Sequence, residues 1–163
     1  MNHIREYGDR DYDYLQKAMV ALQEYIIALD PWRRGYIDDT FAERYTNDVL
    51  KKVKDGNGKI YIADCDGKGV GIIAGVIVEP SEKPAPDEYF HRWREGKIIE
   101  LYVDEGHRGS GAAYDLMKAV EDFFKSQDCV SCSIEVFGYN EPAKKFYSKC
   151  GFETRMLTVA KKL

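Results

Sequence analysis

Long apolar stretches are missing from this chain of 163 residues, since no run approaches the roughly 20 residues that a membrane-spanning helix needs. Residues 1–6 also lack the apolar core of a secretory signal peptide. Basic charge is not in excess either, because 24 lysines and arginines stand against 28 aspartates and glutamates, for a net charge of -4. A general nucleic-acid binder carries a basic surface instead. These absences predict a cytoplasmic protein that binds neither membrane nor nucleic acid.

Several ligand-binding patterns are missing as well. The dinucleotide fingerprint G-x-G-x-x-G does not occur, because the glycine turn at 109–111 is followed by Tyr114 where a third glycine would stand, and the P-loop pattern is also absent. Cys129 and Cys132 have the spacing of a zinc or redox pair, but no second such pair and no nearby histidine accompany them. Small buried thiols explain these cysteines without a metal. We therefore expect neither a dinucleotide site nor a metal site.

The chain does contain enough apolar residues for one folded domain with a full core. Hydrophobic residues make up 44% of it and aromatic residues 13%, which argues against disorder. From apolar periodicity and turn signals, the expected strands are residues 3–7, 59–64, 70–79, 98–103, 131–137 and 156–161, and the expected helices are residues 15–29, 41–54, 111–126 and 142–150. This mixture predicts an α/β domain with a mixed sheet.

The chain is organised around residues 97–126, where a strand, a glycine-rich turn and a helix follow one another. The turn contains Arg108, Gly109 and Gly111. The first N–H groups of a helix lack partners inside the helix and readily bind phosphate, and glycine lets such groups approach an anion closely. Arg108 adds a rigid set of donors. The segment therefore predicts a site for a phosphorylated ligand.

Two short patterns lie in this half of the chain. R-x-x-G-x-A begins at Arg108, and N-x-x-A-x-x-F-Y-x-x-x-G-F begins at Asn140. Together, and in this order, they resemble the signatures of the GNAT superfamily of acetyl-CoA-dependent N-acetyltransferases. The resemblance implies a single N-acetyltransferase domain over residues 1–163. Its fold would be the α/β fold of that superfamily, with a mixed, mostly antiparallel sheet of six to seven strands flanked by about four helices.

The resemblance also implies how acetyl-CoA, the co-substrate of the family, would bind. Its pyrophosphate would lie on the turn at 108–113, and its pantetheine arm would run along the fourth strand, where the fourth and fifth strands part. Asn140 would hydrogen-bond the same arm. The residues expected to bind acetyl-CoA are Leu101, Tyr102, Val103, Arg108, Gly109, Ser110, Gly111, Ala112, Ala113, Asn140 and Ala143.

Transfer of an acyl group from a thioester to an amine needs a base for the amine and an acid for the departing thiolate. Tyr147 matches the family tyrosine near the cofactor sulfur, so the resemblance implies that it is the acid; its place on an apolar helical stripe would also suit a core residue. Glu100 is the ionisable residue inside the fourth strand and is the candidate base, acting through water. Alternatively, Glu100 points away and pairs with an arginine or lysine. Glu95 and His91 are the remaining candidate bases.

The expected acceptor is a primary amine of a small molecule, a peptide or a protein, selected by the N-terminal helices and the loops at 32–39 and 80–96. Acidic residues in these loops would suit a cationic acceptor, namely Asp38, Asp39, Asp87 and Glu88. A homodimer formed through the last strand is common in the family, and the sequence leaves the oligomeric state open. The alternative to an enzyme is a sensor that binds acyl-CoA without turnover. The presence of Tyr147 argues against a sensor, because a sensor needs no general acid there.

Overall fold

The computed structural model describes residues 3–80 and 93–162, in which a five-stranded sheet is flanked by four α-helices. The strands are β1 (His3–Glu6), β2 (Lys59–Cys65), β3 (Lys68–Val78), β4 (Glu95–Val103) and β5 (Ser131–Ile134), and the helices are α1 (Tyr12–Leu29), α2 (Phe41–Asp55), α3 (Ala112–Ser126) and α4 (Glu141–Lys149). The strands lie in chain order across the sheet. Neighbouring strands are antiparallel except β4 and β5, which are parallel.

The predicted number of strands is wrong, because the sheet formed by the described residues has five strands and not six to seven. Residues 156–161, predicted as the last strand, are irregular, and Met156, Leu157 and Val159 are 84%, 82% and 90% exposed. β5 is also shorter than the predicted 131–137, since it ends at Ile134. Alternating apolar residues suit a strand, but a strand also needs a neighbour to pair its backbone groups. Among the described residues, 156–161 have no such neighbour.

The β2–β3 hairpin confirms a turn that the sequence predicts. Asp66 and Gly67 both take positive φ angles, of 54° and 80°. A two-residue turn with this backbone matches the twist of the two strands that it joins. The hairpin places the apolar strand β3 in the middle of the sheet, between β2 and β4.

Two apolar clusters cover the two faces of the sheet. On one face, Ile73 and Ile98 pack with Leu116 and Val120 of α3. On the other face, Ile62 and Ile72 pack with residues of α1 and α2, among them Leu15, Met19 and Val49. The predicted helical stripes are therefore confirmed as the surfaces that bury the sheet. Burial of a large aliphatic side chain contributes about 1.5–3 kcal/mol, so these two clusters make a large favourable contribution to folding.

Gly75 lets α3 lie close against the sheet. A Cβ atom at this position would come within 2.6 Å of Phe124 Cζ and 2.7 Å of Val120 Cγ2. The register between β3 and β4 also shifts at this point, between Ala74 and Gly75. Glycine inside a strand is typical of a bulge or a close approach of another element, and both occur at Gly75.

Candidate active site

A gap between β4 and β5 marks the candidate site. The two strands pair only where Glu95–Ile98 lies beside Ser131–Ile134. Beyond Ile98, β4 continues to Val103 with β3 as its neighbour on one side, whereas β5 has already ended. In the described part of the chain, residues 99–103, which include Leu101 and Tyr102, therefore have a free strand edge toward the gap. An extended ligand can hydrogen-bond to such an edge as another strand would.

The glycine turn lies at the end of β4, beside this gap. Gly109 and Gly111 take φ angles of 79° and 91°, which L-residues rarely adopt, so the turn depends on glycine at both positions. The helix α3 begins directly after it, at Ala112. Arg108 links the turn to the strand, because its Nε donates to the carbonyl oxygen of Val103 at 3.3 Å. The N-terminus of α3 and its positive dipole end are thereby held next to β4.

The remaining residues of the predicted phosphate site are Ser110 in the turn and Ala112 and Ala113 in the first turn of α3. The N–H of Ala112 donates to Ser110 Oγ at 3.4 Å. Ala112 is buried and Ala113 is half-buried. Because both side chains are methyl groups, they take up little space around the first turn of the helix.

Asn140 lies on the other side of the gap, at the start of α4. Its Oδ1 accepts hydrogen bonds from the N–H of Ala143, at 3.3 Å, and from the hydroxyl of Tyr25, at 3.4 Å. The ring of Tyr25 also lies 5.5 Å from the guanidinium carbon of Arg108. Tyr25 in α1 therefore contacts two predicted acetyl-CoA ligands that are distant in sequence. Tyr25 lies off the apolar stripe of its helix, and no sequence pattern around it predicts that it contacts these residues.

Tyr147 lies in α4 with its ring among aromatic side chains. Its ring centroid is 5.4 Å from that of Phe146 and 5.8 Å from that of Phe152. Burial raises the pKa of the Tyr147 hydroxyl to about 12, with smaller contributions from Cys150 and Glu100. Tyr147 packs with the apolar cluster on the α3 side of the sheet.

Glu100 is buried, with 8% of its surface exposed, and its direction is set by a bulge in β4. Ala74 of β3 faces Glu100 and Gly75 faces Ile98, so Ile99 is an extra residue without a partner on β3. After this bulge, the Glu100 side chain reaches the face of the sheet that α2 covers, where it meets Tyr45.

Two polar side chains of the covering helices fix the Glu100 carboxylate. The hydroxyl of Tyr45 donates to Glu100 Oε1 at 2.6 Å, and Gln23 Nε2 donates to the Tyr45 oxygen at 3.0 Å. Burial raises the pKa of Glu100 to about 7, although the hydrogen bond from Tyr45 lowers it. Among the described residues, Glu100 forms no ion pair with an arginine or lysine. The apolar periodicity that predicts the helix at 41–54 gives no sign of this hydrogen bond from Tyr45.

The other two candidate bases lie elsewhere. Glu95 is at the paired beginning of β4, where its Oε2 accepts a hydrogen bond from Ser131 Oγ at 3.4 Å. This position is at the closed end of the gap. His91 lies outside the described residues, as does most of the loop at 80–96, including Asp87 and Glu88.

The loop at 32–39 closes over the end of α1. The indole Nε1 of Trp32 donates to the Tyr139 hydroxyl at 3.1 Å, and the guanidinium carbon of Arg34 lies 4.8 Å from the Trp32 ring. The carboxylate of Asp38 accepts hydrogen bonds from the backbone and hydroxyl of Thr40, at 3.0 Å and 2.8 Å. Asp38 therefore stabilises its own loop.

The described residues lack the structural marks of a metal centre, a membrane-spanning helix and a reactive thiol pair. Residues 3–80 and 93–162 contain no group of three or more His, Cys, Asp or Glu side chains that is arranged to hold a metal ion. None of the helices in the same residues is both long and apolar enough to cross a membrane. Cys129 and Cys132 are free thiols, and burial raises the pKa of Cys132 to about 11, so this thiol keeps its proton at neutral pH.

The fold and the gap define a class of mixed α/β proteins with a helix N-terminus beside two parted strands. The sequence profile of the Acetyltransferase (GNAT) family matches residues 21–152, which is most of the chain. The chain therefore belongs to the GNAT acetyltransferase family, as the two sequence patterns indicate.

Its relatives include proteins from distant organisms. The chain is 32% identical over 98 residues to an uncharacterized N-acetyltransferase of Methanocaldococcus jannaschii, an alignment that covers 60% of this chain and 54% of that protein. It is 25% identical over 129 residues to N-acetyltransferase 8F1 of Rattus norvegicus, which covers 78% of this chain and 53% of that protein. The chain spans about half the length of these relatives.

Solved structures share the whole architecture. A tetramutant of the BH1408 protein from Bacillus halodurans superposes with a TM-score of 0.81 at 21% identity, over 99% of each chain. A predicted acetyltransferase from Clostridium acetobutylicum, determined with acetyl-CoA, superposes with a TM-score of 0.70 at 16% identity, over 99% of this chain and 96% of that one. At sequence identities of 21% and 16%, the structural similarity shows a common fold and no more.

Proposed function

We propose that the chain is an acetyl-CoA-dependent N-acetyltransferase that acetylates a primary amine of a small molecule, a peptide or a protein. One observation carries the proposal. The strands β4 and β5 part after Ile98. The unpaired part of β4 carries a buried carboxyl group, Glu100, and α4, the helix that follows β5, carries a half-buried phenol, Tyr147. Family membership and a structural neighbour determined with acetyl-CoA support this function.

The residues around the gap fit the chemical groups of acetyl-CoA. The left-handed glycines at 109 and 111 and the start of α3 suit a pyrophosphate, and Arg108 supplies a positive charge there. The free edge of residues 101–103 suits the amide groups of a pantetheine arm, and Asn140 with Ala143 stands opposite. Acetyl-CoA would supply the activated acetyl group.

Glu100 is proposed as the general base. As the amine nitrogen forms its bond to the acyl carbon and the carbon–sulfur bond breaks, the nitrogen loses a proton to Glu100 through a water molecule. A pKa of about 7 makes the carboxylate a stronger base than an exposed glutamate, while it is still largely ionised slightly above neutral pH.

Tyr147 is proposed as the general acid. Its pKa of about 12 means that the hydroxyl holds its proton until negative charge develops on the departing sulfur. An ordinary thiol has a pKa of about 8.5, so the thiolate is basic enough to benefit from a proton at neutral pH. Proton exchange with water then restores both residues.

The first test is release of CoA thiol with a panel of primary amines. We expect turnover with at least one amine, and we expect Tyr147→Phe to slow it by at least about 100-fold, as is typical of a lost general acid. Tyr12→Phe is the matched control, because the Tyr12 hydroxyl bonds to Asn47 Oδ1 at an exposed position. Unchanged turnover of Tyr147→Phe at saturating substrates would remove Tyr147 from this role.

A panel that yields no thiol release, together with tight CoA binding, would instead support the acyl-CoA sensor. Binding of CoA by calorimetry separates that result from a protein that does not recognise CoA at all. In the second case the proposed function fails as a whole.

A further inference from the structure

We propose that Tyr45, oriented by Gln23, is a positioning residue that holds Glu100 Oε1 and so leaves Oε2 as the atom that takes the proton of the acceptor amine. The proposal rests on the proposed function and deepens it, because it names two residues of α1 and α2 that prepare the base. It follows from the geometry of a three-member hydrogen-bond chain.

The direction of this chain is fixed by its first member. The amide nitrogen of Gln23 is a donor and cannot accept a hydrogen bond. It donates to the Tyr45 oxygen at 3.0 Å, so the single hydrogen of that hydroxyl is left for the 2.6 Å bond to Glu100 Oε1. Oε1 is therefore engaged as an acceptor, and a proton that arrives at Glu100 binds Oε2.

Tyr45 is held in place by more than these bonds. Its ring stacks on Phe41, one helical turn earlier in α2, with 5.1 Å between centroids and 14° between planes. Burial raises the pKa of the Tyr45 hydroxyl well above its ordinary value, so the hydroxyl keeps the hydrogen that it donates. A rigid donor of this kind holds a carboxylate in one rotamer, which a base acting at a fixed distance requires.

Other charged groups also act on Glu100. In the described residues, α2 contributes Asp48, which raises the pKa of Glu100, and Lys52, which lowers it. Tyr147 of α4 adds no charge at neutral pH, because its pKa of about 12 keeps its hydroxyl protonated. Tyr45 differs from all three because it donates a hydrogen bond directly to the carboxylate.

The test is the pH dependence of turnover in Tyr45→Phe, which retains the ring that stacks on Phe41. Loss of a hydrogen bond to a charged group should move the midpoint of the rise in rate with pH upward by about 1 to 2 pH units. The ratio of the variant rate to the wild-type rate cancels the ionisation of the amine itself. We expect this ratio to be about 0.1 or lower at pH 6 and to approach one by about pH 9–10.

A second readout does not depend on turnover. Carbon-detected NMR of the Glu100 carboxyl, assigned with Glu100→Gln, should show a titration midpoint that rises by the same amount in Tyr45→Phe. Gln23→Glu provides a second variant, because a carboxylate there competes for the Tyr45 hydrogen and adds negative charge; it should raise the midpoint too. Tyr12→Phe, which loses a hydroxyl at the exposed contact with Asn47, should leave both readouts unchanged.

Each failure has its own signature. A rate ratio for Tyr45→Phe that is equally low at every pH, or an NMR midpoint that does not move, overturns the positioning role while the proposed function stands. If Glu100→Gln keeps the wild-type pH profile, Glu100 is not the base, and the proposed mechanism and the positioning role fail together. A shift in both readouts, together with a pH profile of Glu100→Gln that retains only the ionisation of the amine, supports the proposal.

Discussion

Glu100 shows at the scale of one residue how burial of an ionisable side chain lowers the stability of the fold. Its carboxyl is buried, and burial raises its pKa from the ordinary value of 4.5 to about 7. The native state therefore holds this proton more tightly than the unfolded state does. Stability contributed by the protonated form is present at low pH and is lost as pH rises from about 4.5 through about 7.

A substitution at this residue should separate stability from activity. Glu100→Gln keeps an acceptor for Tyr45 and removes the charge, so it should stabilise the protein by about 3 kcal/mol at pH 8.5 and by little at pH 4.5. Urea denaturation at the two pH values measures the difference. The exposed Glu153→Gln serves as control, and an equal effect of Glu100→Gln at both pH values would contradict the argument.

At the scale of one element, the start of α3 depends on backbone conformation more than on side chains. Gly111 is the N-cap and takes a φ of 91°. No atom lies within 4 Å of the position that a Cβ would occupy there. Space is therefore not the constraint at Gly111; the left-handed backbone is, and it sets the direction of the first N–H groups of the helix.

Gly111→Ala should affect both the helix and its proposed ligand. A left-handed alanine costs about 1–2 kcal/mol, and a turn that relaxes to avoid this cost would misdirect its amides. We expect a comparable loss of unfolding free energy and a CoA dissociation constant about tenfold higher, as for one lost charge-assisted hydrogen bond. Calorimetry and urea denaturation measure the two effects. Gly106→Ala is the matched control, because Gly106 also has open space but no left-handed φ.

At the scale of the whole molecule, Glu100 and Tyr147 pack on different faces of the sheet, and the proposed mechanism needs the gap between β4 and β5 to give the substrates access to both. The β4 bulge turns Glu100 toward α2, whereas Tyr147 packs with the cluster on the α3 side. A fully paired β5 would fill the gap between β4 and α4. The early end of β5 at Ile134 leaves that space open.

The segment at 153–162 contributes little to this architecture. It is irregular, and Met156, Leu157 and Val159 are almost fully exposed. Because exposed apolar surface adds little stability, truncation after Glu153 should shift the melting temperature by less than about 3 °C. Thermal unfolding tests this, with light scattering as a measure of mass. A larger loss, or a dimer that dissociates on truncation, would show that these residues pair with a second copy.

Much of the fold follows from local patterns in the sequence. The apolar stripes of α1 and α2, the hairpin at Asp66 and Gly67, and the strand, turn and helix order at 97–126 depend on neighbouring residues, and periodicity and turn chemistry reveal these directly. The prediction of the last strand is wrong because it, too, rests on a local pattern. Residues 156–161 have the local pattern of a strand, but a strand forms only where a distant partner meets it.

The sequence by itself determined the glycine turn, its arginine and the two family patterns, because each consists of residues close together in the chain. Only the tertiary structure decided the environment of Glu100. One extra residue in β4 and two side chains from separate helices set its direction, its burial and its hydrogen bond from Tyr45. These contacts join residues far apart in sequence, and no local pattern encodes the packing that brings them together.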